Sequence, residues 1–87
     1  MKNNRTALIE ELELLVQELE KTNNSTTDFY RTLGAKLGQV SNEQELKEIL
    51  EGILRSGAIV QYADYSHKQE TTWNRMYEEA VKLAKKN

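Results

Sequence analysis

The chain contains no cysteine and no proline, and its 87 residues include a single tryptophan and a single histidine. Without cysteine, neither disulfide bonds nor thiolate metal ligands can reinforce so small a domain. No apolar run approaches the roughly 20 residues that a membrane-spanning helix needs. The basic start of the sequence is followed by acidic residues from Glu10, which interrupt the apolar region of any signal peptide. We therefore expect a soluble, cytoplasmic protein that forms one domain over residues 1–87.

Neither sign of charge is in large excess, because 14 acidic and 12 basic residues leave a formal net charge of −2. A surface for nucleic acid needs a clear basic excess. Residues 35–41 superficially suggest the turn of a helix-turn-helix motif, but the spacing fails by one residue at two points. The helix that follows carries acidic residues where DNA contact needs donors and positive charge, namely Glu43, Glu45, Glu48 and Glu51. We expect no nucleic-acid partner.

Apolar residues make up only 38% of the chain, so the core must come from their spacing. A first helix is expected from Arg5 to Lys21, with Asn3 or Asn4 as its N-cap. Its broad apolar face consists of Leu8, Ile9, Leu12, Leu15, Val16 and Leu19. Because a helix turns by ~100° per residue, Leu14 points roughly opposite to this face. A single exposed leucine is ordinary, although a second apolar side is also what a dimer or partner contact uses.

Two capping-box patterns predict two further helices. Ser25 and Asp28 place the second helix from Thr26 to near Gly38, with an apolar stripe of Phe29, Tyr30, Leu33, Leu37 and Val40. Ser41 and Gln44 start the third helix, whose stripe is Leu46, Ile49, Leu50, Ile53 and Leu54. Gly57 then lies where a left-handed residue closes a helix.

The last third of the chain holds the tryptophan, the histidine and most of the tyrosines. Spacings of three and four define a seam of Ile59, Tyr62, Ser66, Gln69, Trp73, Met76, Ala80 and Leu83. We favour one long helix from Ala58 to Lys86. The alternative is two helices that meet near residues 66–71, where Ser66 would cap the second with Gln69 at its third position. Thr71 and Thr72 also weaken a continuous helix.

This segment also contains the candidate sites. Trp and Tyr dominate interface energetics, so an aromatic face is a candidate partner-binding surface, although a core role is the ordinary interpretation of Trp73. The predicted partner-binding residues are Tyr62, Tyr65, Ser66, His67, Gln69, Trp73 and Tyr77. Asp64, His67 and Glu70, three apart on a continuous helix, are weak candidate metal ligands, since metal sites in bundles need further ligands from other helices. A solvated, salt-bridging helix face is the simpler interpretation of these three residues.

We predict an all-α fold, a small antiparallel bundle of about four helices with a long C-terminal helix. The sequence has no cysteine, no second histidine and no recognisable motif for nucleophilic catalysis, so we expect no enzyme and no cofactor. The favoured function is a protein-interaction module, such as a small regulator, inhibitor, immunity-type or assembly protein. A helix too long for the bundle to cover also indicates a homodimer or an obligate partner. The alternative function is a metal- or small-ligand-binding bundle.

Overall fold

The protein is an all-α bundle, as predicted, with the C-terminal helix the longest. A computed structural model describes residues 4–86, and within them the chain forms helices and no strand. The helices are α1 (Asn4–Glu20), α2 (Thr27–Gly38), α3 (Glu43–Arg55), the single turn α4 (Gly57–Val60) and α5 (His67–Lys86). Asn4 lies inside α1, and Asn3, the other predicted N-cap, lies outside the described residues.

Helix α1 is the centre of the bundle and packs against both α2 and α5. Two ion pairs define the direction of α5, because Glu18 pairs with Lys68 at 3.5 Å and Glu11 pairs with Arg75 at 3.2 Å. As residue numbers fall along α1 they rise along α5, so the two helices are antiparallel. Helix α2 also runs antiparallel to α1, since a Cβ on Gly34 would approach Leu12 to 3.9 Å while Arg31 pairs with Glu20.

The core follows the predicted apolar stripes closely. Leucines at spacings of four, three and four put one face of α1 in the interior, where each fully buried leucine contributes ~2 kcal/mol relative to an exposed one. The buried core comprises Leu8, Leu12, Leu15, Leu19, Tyr30, Leu33, Leu37, Leu50, Ile53, Met76, Ala80 and Leu83. Leu14 is 43% exposed, so it lies outside this face as its position on the helix predicts.

The start of α2 differs from the predicted capping box of Ser25 and Asp28. The helix begins at Thr27, and Thr26, in the N-cap position, makes no side-chain cap hydrogen bond. The side-chain oxygen of Asn24 instead accepts hydrogen bonds from the Thr26 N–H at 2.9 Å and the Thr26 hydroxyl at 2.7 Å. Asparagine bonds readily to the backbone two residues ahead, and this turn leads the chain into α2 without the box.

The N-cap of α3 is Asn42, one residue later than the predicted pair of Ser41 and Gln44. The Asn42 side chain accepts the N–H of Glu45 at 2.9 Å. The Glu45 carboxylate accepts the N–H of Ser41, the residue before the N-cap, at 3.3 Å. Asparagine is at least as good an N-cap as serine, and the glutamate bonds one residue before the position that a capping box uses.

Helix α3 ends without the left-handed glycine that the sequence predicts, because no glycine within residues 4–86 has a positive φ. The C-cap is Ser56, whose hydroxyl donates to the Ile53 carbonyl at 2.6 Å. The Ile53 carbonyl also accepts the Ser56 N–H at 3.0 Å, and the chain continues directly into α4. Gly57 begins α4, and a Cβ there would lie 3.8 Å from the Trp73 ring, an ordinary van der Waals contact.

The predicted single helix from Ala58 to Lys86 is wrong, because residues 61–66 form a loop between α4 and α5. Asp64, in this loop, has a φ of 56°, which a helix cannot accommodate. A continuous helix would be about 44 Å long at ~1.5 Å per residue, whereas the longest dimension of the bundle is 34 Å. The loop lets α5 begin level with the end of α1 and lie along it.

None of the helices in the described part of the chain combines the length and the apolar character that a membrane span requires. Even α5, the longest, carries a charged residue in nearly every turn, including Lys68, Glu70 and Arg75.

Candidate interaction surface

Ser66 and Gln69, the polar break in the predicted seam, start α5 and attach it to α1. The Gln69 side-chain oxygen accepts the Ser66 N–H at 2.9 Å, and the Ser66 hydroxyl accepts the Gln69 N–H at 3.2 Å. The Gln69 amide group also donates to the Glu18 carbonyl at 3.0 Å and to the Thr22 hydroxyl at 2.8 Å. Gln69 is only 2% exposed, so it has a structural role and is not available to a partner.

Trp73 belongs to a buried hydrogen-bond chain that joins three helices. Its indole N–H donates to the Tyr30 hydroxyl at 2.8 Å, and that hydroxyl donates to the Ser56 hydroxyl at 2.8 Å. Burial raises the pKa of Tyr30. Tyr77 stacks on Trp73 with ring centroids 4.9 Å apart. The orientation of the indole is therefore fixed from two sides, by a hydrogen bond and by a stacked ring.

Tyr65 attaches the α4–α5 loop to the start of α2. The hydroxyls of Tyr65 and Thr26 lie 2.7 Å apart, and the Thr26 hydroxyl donates to Asn24, so Tyr65 is the donor of the first bond. Burial raises the pKa of Tyr65 to about 12. The Asn24 amide group also donates to the Ala63 carbonyl at 2.7 Å. These bonds hold the loop from both sides of Asp64, the residue with positive φ.

The structure thus divides the predicted partner-binding residues into two groups. Ser66, Gln69 and much of Tyr65 and Trp73 are occupied by contacts within the domain. The exposed members are Tyr62, His67 and Ser66, the last with its hydroxyl bonded to the Gln69 N–H, and the half-buried Tyr77 lies between the groups.

The most exposed large apolar side chains of the described residues are close together in sequence. Tyr62 is 87% exposed and Ile59, three residues before it, is 44% exposed. The backbone beneath them is nevertheless ordered by hydrogen bonds, because the Tyr62 N–H donates to the Ile59 carbonyl at 3.1 Å and the Ile59 N–H to the Ser56 carbonyl at 3.0 Å. An aromatic ring and a branched aliphatic chain are therefore displayed on a fixed turn.

A groove of about 390 Å³ lies beside this turn, between the α4–α5 loop and α5. One wall comes from α4 and the loop, and the other from the first turns of α5. The lining residues are Gly57, Val60, Gln61, Asp64, Tyr65, Glu70, Trp73 and Asn74. We define the α4–α5 surface as this groove together with Ile59 and Tyr62.

The candidate metal ligands Asp64, His67 and Glu70 are not brought together as the sequence suggested. Their spacing of three assumed one continuous helix, whereas Asp64 lies in the loop and His67 is the first residue of α5. Among the described residues, no group of three or more histidine, aspartate or glutamate side chains could hold a metal ion. The two carboxylates line the groove instead.

The single predicted helix does not indicate several residues of the α4–α5 surface. Ile59 belongs to the predicted seam, and Val60 and Gln61 belong to no predicted site. The alternative of two helices, with Ser66 as the cap of the second and Gln69 at its third position, is confirmed, and it is the sequence signal that ends the preceding helix.

Comparisons with known proteins add no functional assignment to this geometry. No family model matches the chain, and no match is found among curated proteins or among solved structures. The function must therefore be inferred from the exposure, charge and order of the chain's own residues.

Proposed function

We propose that this domain is a non-enzymatic protein-interaction module that binds its partner through the α4–α5 surface. The observation that carries the proposal is the 87% exposure of Tyr62 on a hydrogen-bonded turn beside a groove. Tyrosine contributes a large apolar area and a polar tip, and it is enriched among residues that dominate binding energy. Ile59 extends the apolar area on the same turn.

The order of the turn supports binding because association costs the freedom of whatever becomes fixed. The loop is already held by the Asn24 bond to the Ala63 carbonyl and by the Tyr65 hydroxyl. A partner that covers Tyr62 thus immobilises a side chain with few rotatable bonds and little additional backbone. The wall formed by Trp73 is equally fixed.

The positions of the reactive side chains support a non-enzymatic role. His67 is exposed at the start of α5. The hydroxyls of Tyr30 and Ser56 are buried and bonded to each other and to the backbone. The hydroxyls of Tyr65 and Thr26 are bonded to each other and to Asn24. General acid–base or nucleophilic chemistry requires such groups to reach a substrate.

A foreign protein is the partner that we favour over a second copy of the chain. The predicted homodimer followed from a helix too long for the bundle to cover. Helix α5 has 20 residues and packs against α1 and α3, which removes that reason. The homodimer stays a prediction, and light scattering tests it. A dimeric mass for the wild type that falls to the monomer value in Tyr62→Ser would show that the partner is a second copy of the chain.

The experiment is affinity capture from the native cell with matched surface variants. Tyr62→Ser and Ile59→Ser are compared with Leu14→Ser, since Leu14 is 43% exposed and Ile59 is 44% exposed but the two lie on different helices. We expect a protein that the wild-type chain and Leu14→Ser retain and that both α4–α5 variants lose by about tenfold or more, the effect of an interface hot spot.

Circular dichroism must show that all three variants keep the helical content of the wild type. A captured protein that responds equally to all three substitutions contradicts the proposal, because its binding does not distinguish the α4–α5 surface. Retention by Tyr62→Ser and Ile59→Ser with loss in Leu14→Ser would assign the interaction to the outer face of α1.

A further inference from the structure

We infer that the groove of the α4–α5 surface accepts a lysine or arginine side chain of the partner, an inference that rests on the proposed function. The apolar stem of that side chain lies between Val60 on one wall and Trp73 on the other. Its cationic end lies at the carboxylates of Asp64 and Glu70, which line the groove on opposite walls.

The groove combines the two surfaces that such a side chain needs. Trp73, Tyr65 and Val60 supply apolar and aromatic area, and Asp64 and Glu70 supply negative charge. Lysine and arginine bury their methylene chains on apolar surface while their charged ends remain near water. An apolar side chain would leave the two carboxylates facing it without a partner, and an acidic one would be repelled.

The groove carboxylates are available, in contrast to those between α1 and α5. Glu11 is paired with Arg75, and Glu18 is paired with Lys68 and Lys21. Within residues 4–86, no ion pair involves the carboxylate of Asp64 or of Glu70. Among the described residues, the lining of the groove contains no cationic side chain.

The position of Asp64 is fixed before any partner binds. Its φ of 56° is a left-handed conformation that non-glycine residues seldom adopt, although aspartate and asparagine are enriched in it. The Ala63 carbonyl on one side is bonded to Asn24, and the Tyr65 hydroxyl on the other side is bonded to Thr26. Because the backbone at Asp64 is already held, pairing of its carboxylate with a cation costs side-chain freedom and little backbone freedom.

A second groove, between α1 and α2, does not show the same complementarity. It measures about 370 Å³ and is lined by apolar residues including Ile9 and Val16. Its charged lining has both signs, and Arg31 already pairs with Glu20 there. Charge therefore selects an occupant for the α4–α5 groove but not for this one.

The test uses three blocked tripeptides that differ at the central residue: acetyl-Gly-Arg-Gly-amide, acetyl-Gly-Lys-Gly-amide and the same peptide with citrulline. Citrulline keeps the shape of arginine and removes its charge. Fluorescence of Trp73, the one tryptophan of the chain, reports directly on the groove. Titrations run into the millimolar range at matched salt, with shifts of the Asp64 and Glu70 backbone amides followed by NMR.

The informative variant is the double substitution Asp64→Asn with Glu70→Gln, which removes both charges with almost no change in shape. Asparagine tolerates the left-handed conformation at position 64. The control is Glu13→Gln with Glu48→Gln, which changes the net charge equally on α1 and α3, outside the groove lining.

We expect the arginine and lysine peptides to bind about 3- to 10-fold more tightly than the citrulline peptide, the effect of two partly exposed ion pairs. The Asp64 and Glu70 double variant should abolish that preference, and the control should keep it. Equal binding of charged and neutral peptides, or no binding by any of them, overturns the inference. The proposed function fails on a different result, namely protein capture that does not depend on Ile59 and Tyr62.

Discussion

Gln69 offers the sharpest test of how the structure holds together, because one buried amide group joins the start of α5 to the end of α1. Replacing Gln69 by leucine keeps most of the side-chain volume and removes its three side-chain hydrogen bonds, to the Ser66 N–H, the Glu18 carbonyl and the Thr22 hydroxyl. A hydrogen bond within a protein contributes ~0.5–1.5 kcal/mol net, and a buried partner left unsatisfied adds to the loss.

We expect Gln69→Leu to lower the free energy of unfolding by about 2–4 kcal/mol, after the added apolar burial offsets part of the loss. That is a large fraction of the ~4–13 kcal/mol expected for a domain of this size. Urea unfolding followed by circular dichroism and by Trp73 fluorescence measures it, with an unchanged denaturant slope confirming that the folded state is intact.

The matched control is Gln17→Leu, the same substitution at an exposed position of α1, which should change stability by no more than about 0.5 kcal/mol. Hydrogen exchange adds a local readout, since the Ser66 amide loses its acceptor in Gln69→Leu and should exchange faster. A Gln69→Leu protein as stable as Gln17→Leu, with Ser66 still protected, would refute this account of the α1–α5 attachment.

Two further predictions concern the tyrosines. Tyr30→Phe leaves the Trp73 indole N–H without its acceptor and should lower the free energy of unfolding by about 1–3 kcal/mol, measured with urea. The control Tyr62→Phe, at an exposed position, should lower it by almost nothing. Equal losses in the two variants would contradict the network. The raised pKa of Tyr65, about 12 against an ordinary value of 10.0, means that the folded state retains its proton longer than the unfolded state does. The resulting stabilisation is complete below pH 10 and is lost as pH rises through about 12, so unfolding measured across this range should show a shallower decline in Tyr65→Phe than in the wild type. An identical decline in both proteins would place Tyr65 in solvent.

Local sequence patterns were a good guide to the core and a poor guide to the junctions between helices. The α1 leucines and the stripe of Leu33 and Leu37 are buried as their spacing predicts, because burial of a helix face needs only periodicity. The capping boxes were ambiguous, since Ser41 and Asn42 are both competent N-caps and a shift of one residue changes little in the pattern. Gly57 likewise fits a left-handed closure in sequence, but in the structure it has no positive φ and begins α4.

The α4–α5 surface shows why the site was harder to predict than the fold. In sequence, Ile59 and Tyr62 continue the phase of Gln69, Trp73 and Met76, so one helix explains all five. The bond from Asn24 to the Ala63 carbonyl joins residues 39 positions apart, and no local pattern encodes it. Because the loop is fixed in this way, the helical periodicity ends before α5, and Ile59 and Tyr62 are exposed.

The all-α class, the helix that ends at Gly38 and the apolar faces were determined by the order of residues along the chain, because periodicity and composition act locally. Packing against α1 decided where α5 begins. A helix of about 44 Å at ~1.5 Å per residue exceeds what the bundle can cover, and the Gln69 bonds to Glu18 and Thr22 fix the position of the first turn of α5. The same packing places Asp64 and Glu70, two weak candidate metal ligands, on opposite sides of a groove.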